Sequence, residues 1–274
     1  MTAARGRAMG LATALGWARR GFVIPYRYAA SATPAAYPAL EPLFAAATPS
    51  FRAVLACIED HAAELSAIGG GEGQARFDQD WFPRLDAAAA YALVRRERPA
   101  RIVEIGSGHS TRFLARAVRD GGLATRIACV DPAPRASLAA LDVTHHAVTL
   151  DAADPALTSS LGAGDVLFID SSHIAMPGTD VDRLVLDVLP RLGAGALVHI
   201  HDILLPDAYP DDWAWRGYNE QIVIGALLQG GGYELVFASH YVAARLRDEA
   251  RAGVLGRLAL ARGARETSLW LRKR

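Results

Sequence analysis

Between Arg101 and Ile200 the chain alternates short apolar segments with helical stretches, and this limits the fold more than any other feature. The segments read "RIVEI", "RIACV", "HAVTL", "DVLFI" and "GALVHI". Strands that are apolar on both faces belong in a parallel sheet covered on each side by helices, so the expected class is α/β. In such sheets ligands bind beyond the carboxyl ends of the strands, near the switch in strand order. An acid stands at each of these ends: Glu104, Asp131, Asp151, Asp170, and Asp202 behind His201. Core packing alone gives no reason for five acids in register.

Upstream, residues 1–75 carry no strand signal. Phe51, Val54, Leu55, Ile58, Ala62 and Leu65 recur at helical spacing, and "GGGEG" at Gly69 to Gly73 ends that helix as a connector. Pro83 opens a second helix, "PRLDAAAAYALVRRER". Asp180 is expected to cap a third, with Val181, Leu184, Val185 and Val188 on one face. "YELVFASHY" and "TSLWLRK" read as two further strands, with a helical Val242–Arg265 between them.

Bulk composition narrows the partners. Apolar residues make up 51% of the 274, enough for a sizeable core, and 29 basic residues balance 29 acidic ones. No global field favours nucleic acid. Cys57 and Cys129 are far apart in apolar surroundings, which suggests buried thiols and a reducing, cytoplasmic compartment. Arg5 and Arg7 precede "AMGLATALGWA", a mildly apolar run broken by glycine. It is too short to span a bilayer, so stable membrane insertion is not expected. A short helix against the body, or transiently on a membrane surface, fits it better.

The turn Gly106-Ser107-Gly108-His109-Ser110 follows the first strand and opens a helix, which brings bare N–H groups to a ligand. A dinucleotide site would place a third glycine in GxGxxG, and none is present. Acid-x-Gly-x-Gly followed by an acid after the next strand instead resembles the class I S-adenosylmethionine-dependent methyltransferases. With "QDWFPRLDAAAAYALV", "FIDSSH", "HIHD" and "YNEQ", residues 76–230 are similar to one bacterial group within them. That group is itself similar to macrolide-sugar O-methyltransferases and cephalosporin-hydroxylase-like proteins.

The resemblance implies a Rossmann-like fold with a seven-stranded, mostly parallel sheet whose last strand is antiparallel. Residues 76–274 would form this domain, with 1–75 as a helical extension or lid. S-adenosyl-L-methionine would be the cofactor. Glu104, Gly106, Ser107, Gly108, His109 and Ser110 would lie around its methionine part, with Asp170 nearby. Asp131 would accept from both ribose hydroxyls, and Asp151 would sit by the adenine.

In the similar sugar O-methyltransferases, acids after the fourth and fifth strands hold a divalent metal. By motif these are Asp170, His201 and Asp202, and His173 matches the general base. His201 replaces an acid of that pattern, which moves preference from Mg toward transition metals such as Mn or Fe. In the metal-free alternative His173 or His201 acts directly as the base and Asp202 orients it. A small-molecule acceptor, methylated at oxygen, is the leading reading. A metal-dependent hydroxylase-like enzyme and a non-methylating cofactor-binding relative are the others, and a homo-oligomer stays open.

The remaining histidines are expected to be structural. His199 would be buried on the strand face it shares with His201, and His145 and His146 would lie at a sheet-edge surface. "FVIPYRY", "QDWF" and "LPDAYPDDWAWRGYNEQ" would roof an acceptor pocket. Within them Trp81 is expected to staple the N-terminal helices to the sheet, and the 202–217 loop to meet substrate.

Overall fold

A computed structural model describes residues 2–71 and 73–274; Glu72, inside the expected Gly69–Gly73 connector, lies outside the described residues. Four helices come first: α1 (Ala3–Ala14), α2 (Glu41–Ala46), α3 (Thr48–Asp60) and α4 (Ala62–Ser66). The single helix expected over α3 and α4 is broken at His61. On α3, Phe51, Val54 and Ile58 are buried, and the helix packs on the following helix, α5 (Arg84–Glu97). Eleven consecutive residues of α5, Arg84 to Val94, are buried. Its run of alanines keeps the helix narrow, so neighbours can approach it from more than one side.

The strands are β1 (Arg101–Ile105), β2 (Arg126–Val130), β3 (Thr144–His146), β4 (Asp165–Ile169), β5 (Leu197–Ile200), β6 (Tyr233–Ala238) and β7 (Leu269–Lys273). They form one sheet in the order β3-β2-β1-β4-β5-β7-β6. β1 pairs in parallel with β2 and with β4, and β4 in parallel with β5. β7 enters antiparallel between β5 and β6. This is the expected Rossmann-like α/β arrangement, a seven-stranded, mostly parallel sheet with its last strand antiparallel. The strand order reverses at β1 and β4, so the crevice opens beyond their carboxyl ends. No helix among the described residues is long and apolar enough to cross a membrane.

Several boundaries differ from the sequence reading. β3 covers Thr144–His146 rather than "HAVTL", because Val148 N–H folds back onto the His146 carbonyl at 2.8 Å and turns the chain. Asp151 then lies on a single 3-10 turn, Leu150–Ala152. The third expected helix is capped by Thr179, whose hydroxyl accepts from Asp182 N–H, while Asp180 instead accepts from Ser172 N–H at 2.9 Å. That helix runs as α8 (Asp180–Arg183), a π-turn Leu184–Val188 and α9 (Leu189–Arg191), after the short α7 (Ala156–Ser159). β6 is followed by α11 (Ser239–Arg245), and the expected helix through Arg265 does not form. Gly253 adopts φ 56° there, and the Glu59 carboxylate takes the next N–H, Val254, at 2.8 Å.

One ion pair closes the core over the start of α5. Arg84 donates from Nε and Nη2 to Glu266 at 2.9 and 3.1 Å, and Glu266 also accepts from Leu85 N–H at 2.9 Å. Both side chains are buried. Removing one partner would leave a buried charge without compensation. Glu266→Ala is therefore expected to cost about 3–5 kcal/mol of stability. Urea unfolding that shows an unchanged midpoint would contradict this.

Candidate active site

The turn after β1 is shaped by its neighbours. Gly106 has φ 81°, and a Cβ there would lie 1.9 Å from the Asp170 carbonyl oxygen, so only glycine lets the ends of β1 and β4 come this close. Beneath the turn, Glu104 is fully buried and accepts from Ser110 Oγ and Thr111 Oγ1, both at 2.6 Å. Thr111 Oγ1 in turn accepts from Gly108 N–H at 2.9 Å. Burial pushes the Glu104 carboxyl up to about 7, against the donors Ser110, Thr111 and Cys129, whose Sγ lies 3.4 Å away. Glu104 braces the turn from below and does not border the cavity above it. Asp131 holds the turn from the other side, accepting from Ser107 N–H at 2.7 Å and from Ala133 N–H at 2.8 Å. Ser107 Oγ donates to it as well at 3.1 Å, and of a carboxylate's roughly four acceptor positions one is left.

Beyond β4 and β5, acids and imidazoles alternate. His173 Nδ1 meets Glu220 Oε2 at 2.9 Å, and its Nε2 lies 3.4 Å from Asp170 Oδ1 and 3.5 Å from Asp202 Oδ2. His201 Nδ1 lies 3.5 Å from both Asp170 and Asp202, and its Nε2 meets Asp86 at 3.3 Å. Burial would lower His173, but the carboxylates around it outweigh this and hold it well above the usual imidazole range. His201 is raised in the same way, chiefly by Asp170 and Asp202 against burial. Burial would raise the Asp170 carboxyl, yet His201 and His173 hold it well below its usual range. His199, beside them, is lowered by burial and bonds Ser268 Oγ at 2.8 Å, as a structural histidine should.

The turn and the cluster face one space. A cavity of about 140 Å³ is bordered by Ser107 to Ser110, Asp131, Asp170, His173, His201 and Asp202. It shares Asp131 and Asp170 with a second cavity of about 550 Å³, which takes in Gly106, Thr149, Asp151 and Ser172. His109 is half-buried, and burial lowers its imidazole. Asp151 is exposed, and its carboxyl is lowered by the Thr149 hydroxyl and by its own N–H.

The metal expectation needs correction. Among the described residues no group of three or more His, Cys, Asp or Glu side chains is placed to hold a metal ion. Asp170, His201 and Asp202 do meet, but as ion-pair partners. Each carboxylate faces an imidazole nitrogen of His201 at 3.5 Å. The Trp81 expectation is corrected too. Its ring is 44% exposed, borders the cavity and carries Arg135 at 4.3 Å, while Phe82 is the buried staple, packed on Phe113 and Phe168.

Glu220 and Asp86 were missed as site residues. Glu220 lies in "YNEQ", at the start of α10 (Glu220–Gln229), and Asp86 is the one buried acid in an alanine-rich helix. A fully buried acid of that kind needs partners, which is the signal that could have found it.

Residues 103–203 match a protein-family model described as a methyltransferase domain. The matched stretch runs from β1 to just past β5 and contains the turn, Asp131, Asp170, His173, His201 and Asp202. No curated protein matches the sequence. Among solved structures, the chain is similar to the SAH-bound Podospora anserina methyltransferase PaMTH1 at 16% identity. That alignment covers 93% of this chain and 99% of the other, with a TM-score of 0.45. Cofactor-bound Rv0187 from MTB is 16% identical over 82% of this chain and 90% of its own, TM-score 0.43. The plantazolicin methyltransferase BpumL, with a monoazolic desmethylPZN analog and SAH, is 15% identical over 68% and 82%, TM-score 0.41.

The geometry makes His173 dependent on Glu220. In Glu220→Gln the imidazole loses a raising carboxylate, so its pKa should fall toward the ordinary 6.5. An NMR titration of the His173 ring in both proteins checks this; an unmoved titration would contradict it. The sign also fixes stability. His173 stabilises the fold below 6.5 and loses that contribution as pH rises through its higher folded pKa.

Proposed function

We propose that the chain is an S-adenosylmethionine-dependent methyltransferase that methylates a hydroxyl of a small-molecule acceptor. The observation that carries this reading is the joining of two features in one space: the Asp131-braced glycine turn and the acid–imidazole cluster after β4 and β5. The match of residues 103–203 to a methyltransferase domain supports it.

The residues suit that cofactor. Gly106 to Gly108 leave backbone open to its amino-acid part, and Asp131 keeps an acceptor position for a ribose hydroxyl. Asp151 and Thr149 stand where the second cavity would take the adenine. When bound, the cofactor supplies an electrophilic methyl group on a sulfonium. What the protein must add is alignment and a destination for the acceptor's proton. His173 provides the destination: Nδ1 is fixed by Glu220, leaving Nε2 toward Asp170, Asp202 and the cavity. His201, held by Asp86, lines the same wall.

A base with a raised pKa must be deprotonated before it can take the acceptor's proton. The expected kcat/KM therefore climbs with pH through a value above 6.5, once an acceptor is in hand. His173→Gln should lower kcat by roughly 10²–10⁴-fold and leave S-adenosylhomocysteine affinity in place. The first test is calorimetry with S-adenosylhomocysteine, joined to labelled methyl transfer into a metabolite pool. Binding weakened by about 1–3 kcal/mol in Asp131→Ala fits the reading. Tight NAD binding with no S-adenosylhomocysteine binding would overturn it.

A further inference from the structure

Beside the site lies a third cavity of about 610 Å³, between the cluster and the N-terminal segment. Its size falls within the roughly 300–1,000 Å³ of small-molecule sites. Trp81, Arg135, Arg216 and Tyr218 border both this chamber and the cavity that holds His173 and Asp170. An acceptor lying in the chamber could therefore reach the cluster without crossing bulk protein.

The chamber's lining is one-sided in charge. Met9, Phe22, Ile24, Met176 and Trp215 give it an apolar wall. Among the described residues that border it, the only charged ones are Arg20, Arg135 and Arg216, and no carboxylate is among them. Arg216 stands at the junction of the two cavities. Its guanidinium lies 4.2 Å from the Trp213 ring centroid, Nη1 is 3.8 Å from Asp202, and Nε is buried with no hydrogen-bond partner. Arg135 stacks on Trp81 at 4.3 Å. Among the described residues, no ion pair joins Arg20 or Arg135 to an acid, although the whole chain carries as many acidic as basic residues. Residues 2–40 add Arg5, Arg7, Arg19 and Arg27 and contain no Asp or Glu.

We propose that this chamber binds acceptors that join a flat apolar body to an anionic group; the inference rests on the methyltransferase reading and names its substrate class. The apolar body packs on Ile24, Phe22 and Trp215, and the anion pairs with Arg20, Arg135 and Arg216. The arginines also supply steering, because a cleft lined by one sign of charge concentrates ligands of the other.

The test uses 2-naphthoate and its uncharged isostere 2-naphthamide, titrated into the full chain by calorimetry, with S-adenosylhomocysteine titrated separately. Naphthoate should bind more tightly than naphthamide. Arg20→Gln should weaken naphthoate by about tenfold, the size of one lost charge-assisted bond, and leave naphthamide unmoved. Ile24→Ser should weaken both probes, and neither variant should change S-adenosylhomocysteine affinity. Equal affinity for the two probes in the parent protein, or naphthoate binding unmoved in both variants, would overturn the proposal. If the probes follow the expected pattern while S-adenosylhomocysteine does not bind, the chamber stands and the methyltransferase reading falls.

Discussion

Asp86 is the constraint on which the rest of the molecule turns. It is fully buried on α5 and accepts from Thr267 N–H at 2.9 Å, from Ser268 N–H at 2.9 Å and from His201 Nε2 at 3.3 Å. An ionised carboxylate without partners in the interior is costly by several kcal/mol, so these groups have to assemble together. They come from three places in the chain: α5, the end of β5 and the entry to β7. One residue thus ties the helix behind the sheet to the antiparallel insertion and to a ring of the acid–imidazole cluster. The core clamp and the site share a network.

That sharing explains how the site can tolerate unfavourable backbone. His173 and Asp202 are non-glycine residues at φ 61° and 55°, in the left-handed region. Such conformations persist only where the surroundings over-determine them, and they gather at functional sites. Here the His173 carbonyl accepts from Asn219 N–H at 3.1 Å, and Ile203 N–H, just past Asp202, reaches the Thr267 carbonyl at 3.0 Å. The left-handed twist at each position turns its side chain back over the strand ends.

How much of this could be read from the sequence depends on how local the cause is. The strands β1, β2, β4 and β5 were legible because apolar runs between helices leave few alternatives. The convergence of Asp131, Asp170, His173, His201 and Asp202 followed from the strand-end rule. Glu104 was found, but its place beneath the turn depends on two hydroxyls that no spacing reveals. The helix expected after Val242 ends at Arg245, and further on the Val254 N–H is taken by Glu59, far away in the chain. Trp81 was misread because an aromatic in a loop can face inward or outward, and only the position of Phe82 decides which. The same holds for the metal: the residue types were right, and their mutual orientation was not legible.

The insertion of β7 carries a consequence for how the molecule is made. β5 ends at Ile200, yet the neighbour that covers its free edge does not begin until Leu269. β6, synthesised in between, has no contact partner in the sheet other than β7. During synthesis the growing chain therefore passes through a stage with an open strand edge at β5 and a β6 that pairs with no strand, although it can already pack on α3. Open edges of this kind are templates for pairing with other chains, and such incomplete species are prone to aggregate. The same stage leaves Asp86 without Thr267 and Ser268, so a buried charge waits for its donors. That interval, rather than the finished fold, is when the chain is most open to pairing with its neighbours.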